Sequence, residues 1–85
     1  MTAAEFNEKY RKYAEPRFED QLLQIDIPKV TEYLDSLFEG VLIDEPGFNF
    51  AQIKLKFGTA IFYSNLPHAW STLIEGEINA LVDEK

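Results

Sequence analysis

Residues 52 to 57, "QIKLKF", alternate polar and apolar side chains, and Gly58 separates them from a second apolar run, "AIFYS". A period of two specifies extended backbone, because only a strand sends successive side chains to opposite faces. Up to Gly40 the apolar residues instead keep the helical period. The chain must therefore join helices to a small antiparallel sheet, which makes it an α+β fold. Gly58 followed by Thr59 fits the central positions of a type II′ hairpin turn. That register sets Phe57 opposite Ala60, Leu55 opposite Phe62, Lys56 opposite Ile61 and Lys54 opposite Tyr63. Ile53, Leu55, Phe57, Ala60 and Phe62 then share the core face. Phe48 and Phe50 have the parity of the lysines, so either a bulge lies near Ala51 or the strand begins after it.

The opening "TAAEFNEKY" has the spacing of a capping box between Thr2 and Glu5, and a helix is expected over 3–14 until Pro16 stops it. A short helix is expected over 17–25, where Phe18, Leu22 and Ile25 recur. "DIPKVTEYLDSLFEG" predicts a helix over 28–39, capped by Asp26, with Pro28 in its first turn and Gly40 as its stop. Its apolar set is Val30, Tyr33, Leu34, Leu37 and Phe38. "VLI" reads as a strand over 41–43 and "DEPG" as a turn centred on Pro46 and Gly47, followed by strands over 50–57 and 59–64. A C-terminal helix over 67–82, capped by Asn65 or Ser64, carries Trp70, Leu73, Ile74, Ile78, Leu81 and Val82 on one side. The expectation is one domain, 1–85: two N-terminal helices, a three-stranded antiparallel meander and a C-terminal helix packed on the sheet.

Eighty-five residues at 46% hydrophobic supply one small core, and with no Cys there is neither a disulfide framework nor a thiolate zinc site. No stretch approaches the roughly 20 apolar residues of a bilayer crossing, and no export signal is evident, so the cytoplasm is the expected location. A net charge of −7 repels nucleic-acid backbones and anionic lipid, which argues against direct nucleic-acid or membrane binding. The charge is uneven. Residues 1–40 hold nine acids and five bases, 41–66 two of each, and 67–85 four acids and one base.

The single His68 can form no histidine pair for a metal, and the four glycines make no phosphate loop. No cofactor is expected. Asp44 and Glu45 read as turn acids, and "DEPGFNF" lacks the ligand pattern of a calcium loop. What remains are surfaces. The aromatic stripe Phe6, Tyr10 and Tyr13 is either core or a docking face. Lys54 and Lys56, on the same hairpin face as Ile61 and Tyr63, are either a wet face guarded by lysine or a partner site. If the first helix covers that face, both are explained and the monomer is closed. The carboxylates Glu5, Glu8, Glu19, Asp20, Glu32, Asp35 and Glu39 would serve a nucleic-acid mimic that fills a basic groove.

The hairpin "QIKLKFGTAIFY" resembles a segment of short uncharacterised phage and bacterial proteins. Gln52, Ile53, Lys54, Lys56, Phe57, Gly58, Thr59, Phe62 and Tyr63 match, whereas Leu55 replaces an acid and Ala60 with Ile61 replaces Leu-Arg. The resemblance implies a phage or mobile-element setting and no particular activity. By elimination the expected function is a small, acidic, non-enzymatic domain that binds another protein, as an inhibitor or accessory factor. The alternatives are the mimic, a self-assembling subunit and a small carboxylate-based enzyme.

Overall fold

The structure, a computed structural model, describes residues 1–18 and 22–84. Thr2 does form a capping box: its hydroxyl accepts from the Glu5 amide while the Glu5 carboxylate accepts from the Thr2 amide. Helix α1 runs Ala3–Tyr10 and tightens into a 3₁₀ turn over Arg11–Tyr13. Ala14 is already extended, because Pro16 disfavours a helical Glu15 and closes off continuation.

Beyond it the expected short helix is not found. Pro16–Phe18 is one 3₁₀ turn, residues 19–21 of that expectation lie outside the described residues, Leu22 is a bend, and Leu23 forms a parallel bridge with Ile53. Leu22, Leu23 and Ile25 are all buried, and helical spacing would have turned Leu23 away from the other two. A non-helical segment sandwiched between α1 and the sheet buries all three. Its backbone lies parallel to the hairpin: the Ile53 amide donates to the Leu22 carbonyl and the Gln24 amide to the Ile53 carbonyl.

Helix α2 runs Pro28–Gly40. Asp26 does not cap it. The N-cap is Ile27, held extended before Pro28, and the Asp26 carboxylate instead accepts from the Ala3 amide at the start of α1. Gly40 is the last helical residue rather than a stop beyond it.

The expected strand over 41–43 is a 3₁₀ turn, Leu42–Asp44. An apolar triplet has too little length to show alternation. Here its backbone is satisfied locally, with the Val41 amide bonded to Leu37, Asp44 to Val41 and Glu45 to Leu42. The turn buries Leu42 and leaves Val41 at the surface. The next turn is as expected, with the Phe48 amide on the Glu45 carbonyl and Gly47 at φ +73°.

The sheet is therefore a two-stranded antiparallel hairpin, β1 (Phe50–Lys56) and β2 (Thr59–Ser64). A bulge lies at Ala51, where the sequence allowed one, and it turns Phe50 into the core. The register differs from expectation. Ile53 pairs with Phe62, Leu55 with Ala60, Lys54 with Ile61 and Lys56 with Thr59, so the loop is Phe57 and Gly58. Both have positive φ, +54° and +79°, as a type I′ turn requires. Seating Ile53 against Phe62 beneath Phe38 outweighs the poor fit of a phenylalanine to that turn. Phe57 thereby leaves the expected core face and is 97% exposed, and Leu55 is at the rim.

Helix α3 runs His68–Asp83, with Pro67 at the N-cap and no side-chain cap from Asn65 or Ser64. It packs on β2 and closes its edge: Asn79 Oδ1 accepts from the Ala60 amide at 2.8 Å and Glu75 Oε2 from the Phe62 amide at 2.9 Å. The core joins all these elements around Phe38, whose ring centroid lies 5.0 Å from Phe6 and Tyr10, 5.1 Å from Phe50 and 5.4 Å from Phe48. No helix among the described residues is long and apolar enough to cross a membrane.

Candidate functional site

Phe6 and Tyr10 are fully enclosed and Tyr13 is half-buried beside Phe48, so the aromatic stripe of α1 is core. The Tyr10 hydroxyl donates toward Asp35, on α2, and Lys9 bridges Asp35 and Glu39 at 2.8 and 2.9 Å. The Lys9 ammonium, and then the Tyr10 hydroxyl, hold the Asp35 carboxyl below the usual carboxylate range. Burial, helped by the bond to Asp35, pushes Tyr10 up to about 12. This network fastens α1 to α2.

It also occupies the acids expected of a mimic. Asp35 and Glu39 hold Lys9, Glu32 holds the N-terminal ammonium at 2.6 Å, Glu8 faces Arg11 at 3.5 Å, and Glu5 caps α1. Glu19 and Asp20 lie outside the described residues. The carboxylates placed here do not form a free row.

The outer face of the hairpin is covered only in part: Gln52 is buried, whereas Tyr63 is 47% exposed. Gln52, Lys54, Ile61 and Tyr63 share it, with the Lys54 ammonium 6.0 Å from the centre of the Tyr63 ring. The opposed pairs are Lys54 with Ile61 and Gln52 with Tyr63, not the expected ones. Glu15 and Arg17 border a groove of about 400 Å³ over Tyr63, and the Arg17 guanidinium lies 3.2 Å from both Glu15 oxygens. Lys56 projects beyond it toward the turn. Among the described residues no acid, His or Cys cluster could hold a metal, and His68 meets only the Thr72 hydroxyl, at 3.4 Å.

A second depression was not anticipated. Tyr33 and Leu37 project from one flank of α2, with Val41 just past its end, and Trp70, Leu73 and Glu77 from the facing flank of α3. Between them runs a trough of about 360 Å³ floored by Leu42 and Ile74. Val41 is 49% exposed, Trp70 39% and Leu73 68%. Glu77 is its one charged lining residue and forms no ion pair among the described residues. The sequence carried a signal for this. The apolar stripe of α3 spans about half the helix circumference, wider than the roughly 100° that a core contact requires. Ile74, Ile78 and Val82 face the core, while Trp70 and Leu73 are the surplus.

The trough offers apolar contact and one carboxylate. The hairpin groove offers an aromatic face with a cation over it and a compensated ion pair. Of the groups at the hairpin groove, the Glu15 carboxylate accepts from Arg17 and the Ser64 hydroxyl oxygen accepts from the Leu66 amide. No family model, curated protein or solved structure matches this chain.

Proposed function

We propose that the chain is a small protein-binding domain whose docking surface is the trough between α2 and α3. The occupant is an apolar segment of a polypeptide, flanked by lysine or arginine. The observation that carries this reading is the exposure of Val41, Trp70 and Leu73 around one concavity. Scattered surface apolar residues are ordinary, but a tryptophan gathered with Val41 and Leu73 around one trough is a contiguous apolar patch of the kind that marks a docking site. A small ligand would lack the convergent polar groups that orient it, since Glu77 is the only charge in the lining. That carboxylate and the net charge of −7 favour basic flanks on the occupant. This reading keeps a protein partner and moves its contact from the first helix to the trough.

Trp70 is the only tryptophan, so its fluorescence reports occupancy of the trough directly. A designed amphipathic helix with a leucine face and lysine flanks should shift Trp70 emission saturably. It should also perturb the amide resonances of Leu37, Val41 and Leu73, and Leu73→Asp should abolish both effects. Binding that leaves Trp70 unmoved, or that survives Leu73→Asp, would sink the reading.

A further inference from the structure

The tip of the hairpin is built against local preference. Phe57 sits at φ +54°, a backbone region that bulky L residues rarely adopt, while its side chain is 97% exposed. Asparagine or glycine would take this position of a type I′ turn without strain. The Ile53–Phe62 register imposes that strain, and the Phe57 ring, almost wholly in solvent, adds little burial of its own to offset it. Leu55 is exposed beside it, and Lys54 and Lys56 flank both with no ion pair among the described residues. From Phe50 to Ser64 the hairpin carries these two lysines and no acid. In an otherwise acidic molecule it ends as an apolar plug with a cationic collar.

The trough has the complementary character. It is apolar, with Glu77 as the one charged residue in its lining. Plug and trough cannot meet within one chain. Ala60 is fastened to Asn79 and Phe62 to Glu75, which sets the tip beyond the C-terminal half of α3. Trp70 and Leu73 lie in its N-terminal half. We propose that Phe57 of one copy inserts into the α2/α3 trough of a second copy, with Lys54 and Lys56 toward its Glu77. This rests on the trough being a docking surface and names the occupant. The contact joins unlike surfaces, so a pair of copies still has one free plug and one free trough, and assembly runs head to tail.

The test is sedimentation velocity on the full chain from about 10 µM to about 1 mM, the range of weak contacts. The expected result is a mass that rises with concentration. Phe57→Asn relieves the turn, so it should fold at least as well as the parent and yet stay monomeric. Leu73→Asp, at a position already 68% exposed, should also be monomeric. Val41→Lys replaces it should its helical circular dichroism be lost. Mixing the two monomeric variants is decisive. The intact plug of one meets the intact trough of the other, and a one-to-one dimer forms that grows no further.

A parent chain that is monomeric throughout, association that persists in Phe57→Asn, or a mixture that fails to pair would each overturn the proposal. The designed helix distinguishes the two readings. If it still shifts Trp70 while the parent stays monomeric, the trough is a docking surface whose occupant is another polypeptide. If it does not, the docking reading falls as well.

Discussion

Asn7 should hold more of the fold than a half-buried side chain in a short helix suggests. Its Nδ2 donates to the Leu23 carbonyl at 3.1 Å and its Oδ1 accepts from the Leu23 amide at 2.8 Å. The amide thus acts as a strand-like partner for the segment 22–24, whose other edge is bonded to Ile53. Asn7→Ala removes both bonds, each worth about 1 kcal/mol net, and leaves Leu23, 3% exposed, with backbone groups that water reaches poorly. The expected loss is about 2–3 kcal/mol. A chain of 85 residues has roughly 4–13 kcal/mol in total, so the urea midpoint should fall visibly. Asn7→Asp adds a second, independent sign. It keeps the acceptor but turns a carboxylate oxygen toward the Leu23 carbonyl, raising the folded pKa of the new group. Its penalty should be at least that of alanine at neutral pH, should shrink as pH falls through the raised folded pKa, and should level off near about pH 4, the unfolded value. In hydrogen exchange, the Gln24 and Ile53 amides should lose protection in Asn7→Ala ahead of the Lys54–Ile61 pair. An Asn7→Ala midpoint within about 0.5 kcal/mol of the parent would show that water replaces the clasp and that the reasoning is wrong.

Two further outcomes follow from the same network of bonds. At alkaline pH the Tyr10 hydroxyl, raised from 10.0 to about 12 chiefly by burial, stays neutral in the folded state after it has ionised in the unfolded chain. Its contribution is full below pH 10.0 and disappears as pH climbs to about 12, while the depressed Asp35 carboxyl costs stability only as pH falls below its ordinary value of 3.8. Urea midpoints against pH should show both flanks, and Tyr10→Phe should flatten the alkaline one. In the second outcome, Glu75→Ala with Asn79→Ala frees the Ala60 and Phe62 amides on the outer edge of β2. Growth of light scattering and of amyloid-dye fluorescence is expected, against none for the parent, since a bare strand edge templates pairing.

The parts legible in the sequence were those in which local chemistry and tertiary packing agree. The Thr2–Glu5 capping box, the Pro46–Gly47 turn, the Ala51 bulge and the helical span from Pro28 read directly from residue type and spacing. The errors arose where packing overrode a local preference. Leu22 and Leu23 leave the helical pattern because α1 and β1 lie on either side of them. Asp26 caps α1, whose N-terminus is adjacent only in space. Phe57 enters a glycine-like turn because Ile53 must meet Phe62. The trough escaped notice for another reason. Hydrophobic periodicity reports which side of a helix is apolar, not how much of that side a neighbour covers, and α2 leaves Trp70 and Leu73 uncovered.

The closed sheet edges bear on how this domain can associate. On β1, Ile53 is bonded to Leu22 and Gln24, and the Phe50 carbonyl accepts from Glu15. On β2, the Ala60 and Phe62 amides are held by α3. The lysines expected to guard an edge do not face one: Lys54 and Lys56 point off the sheet, above and beyond Tyr63. Association by strand addition would have to break bonds at both edges, so recognition falls to side-chain surfaces. Those surfaces are of unlike sign and shape, an apolar trough bearing Glu77 on one side and an aromatic tip near Lys54 and Lys56 on another. Because the backbone edges are closed by bonds that do not involve Phe57, Trp70 or Leu73, these exposed side chains can change without exposing the sheet.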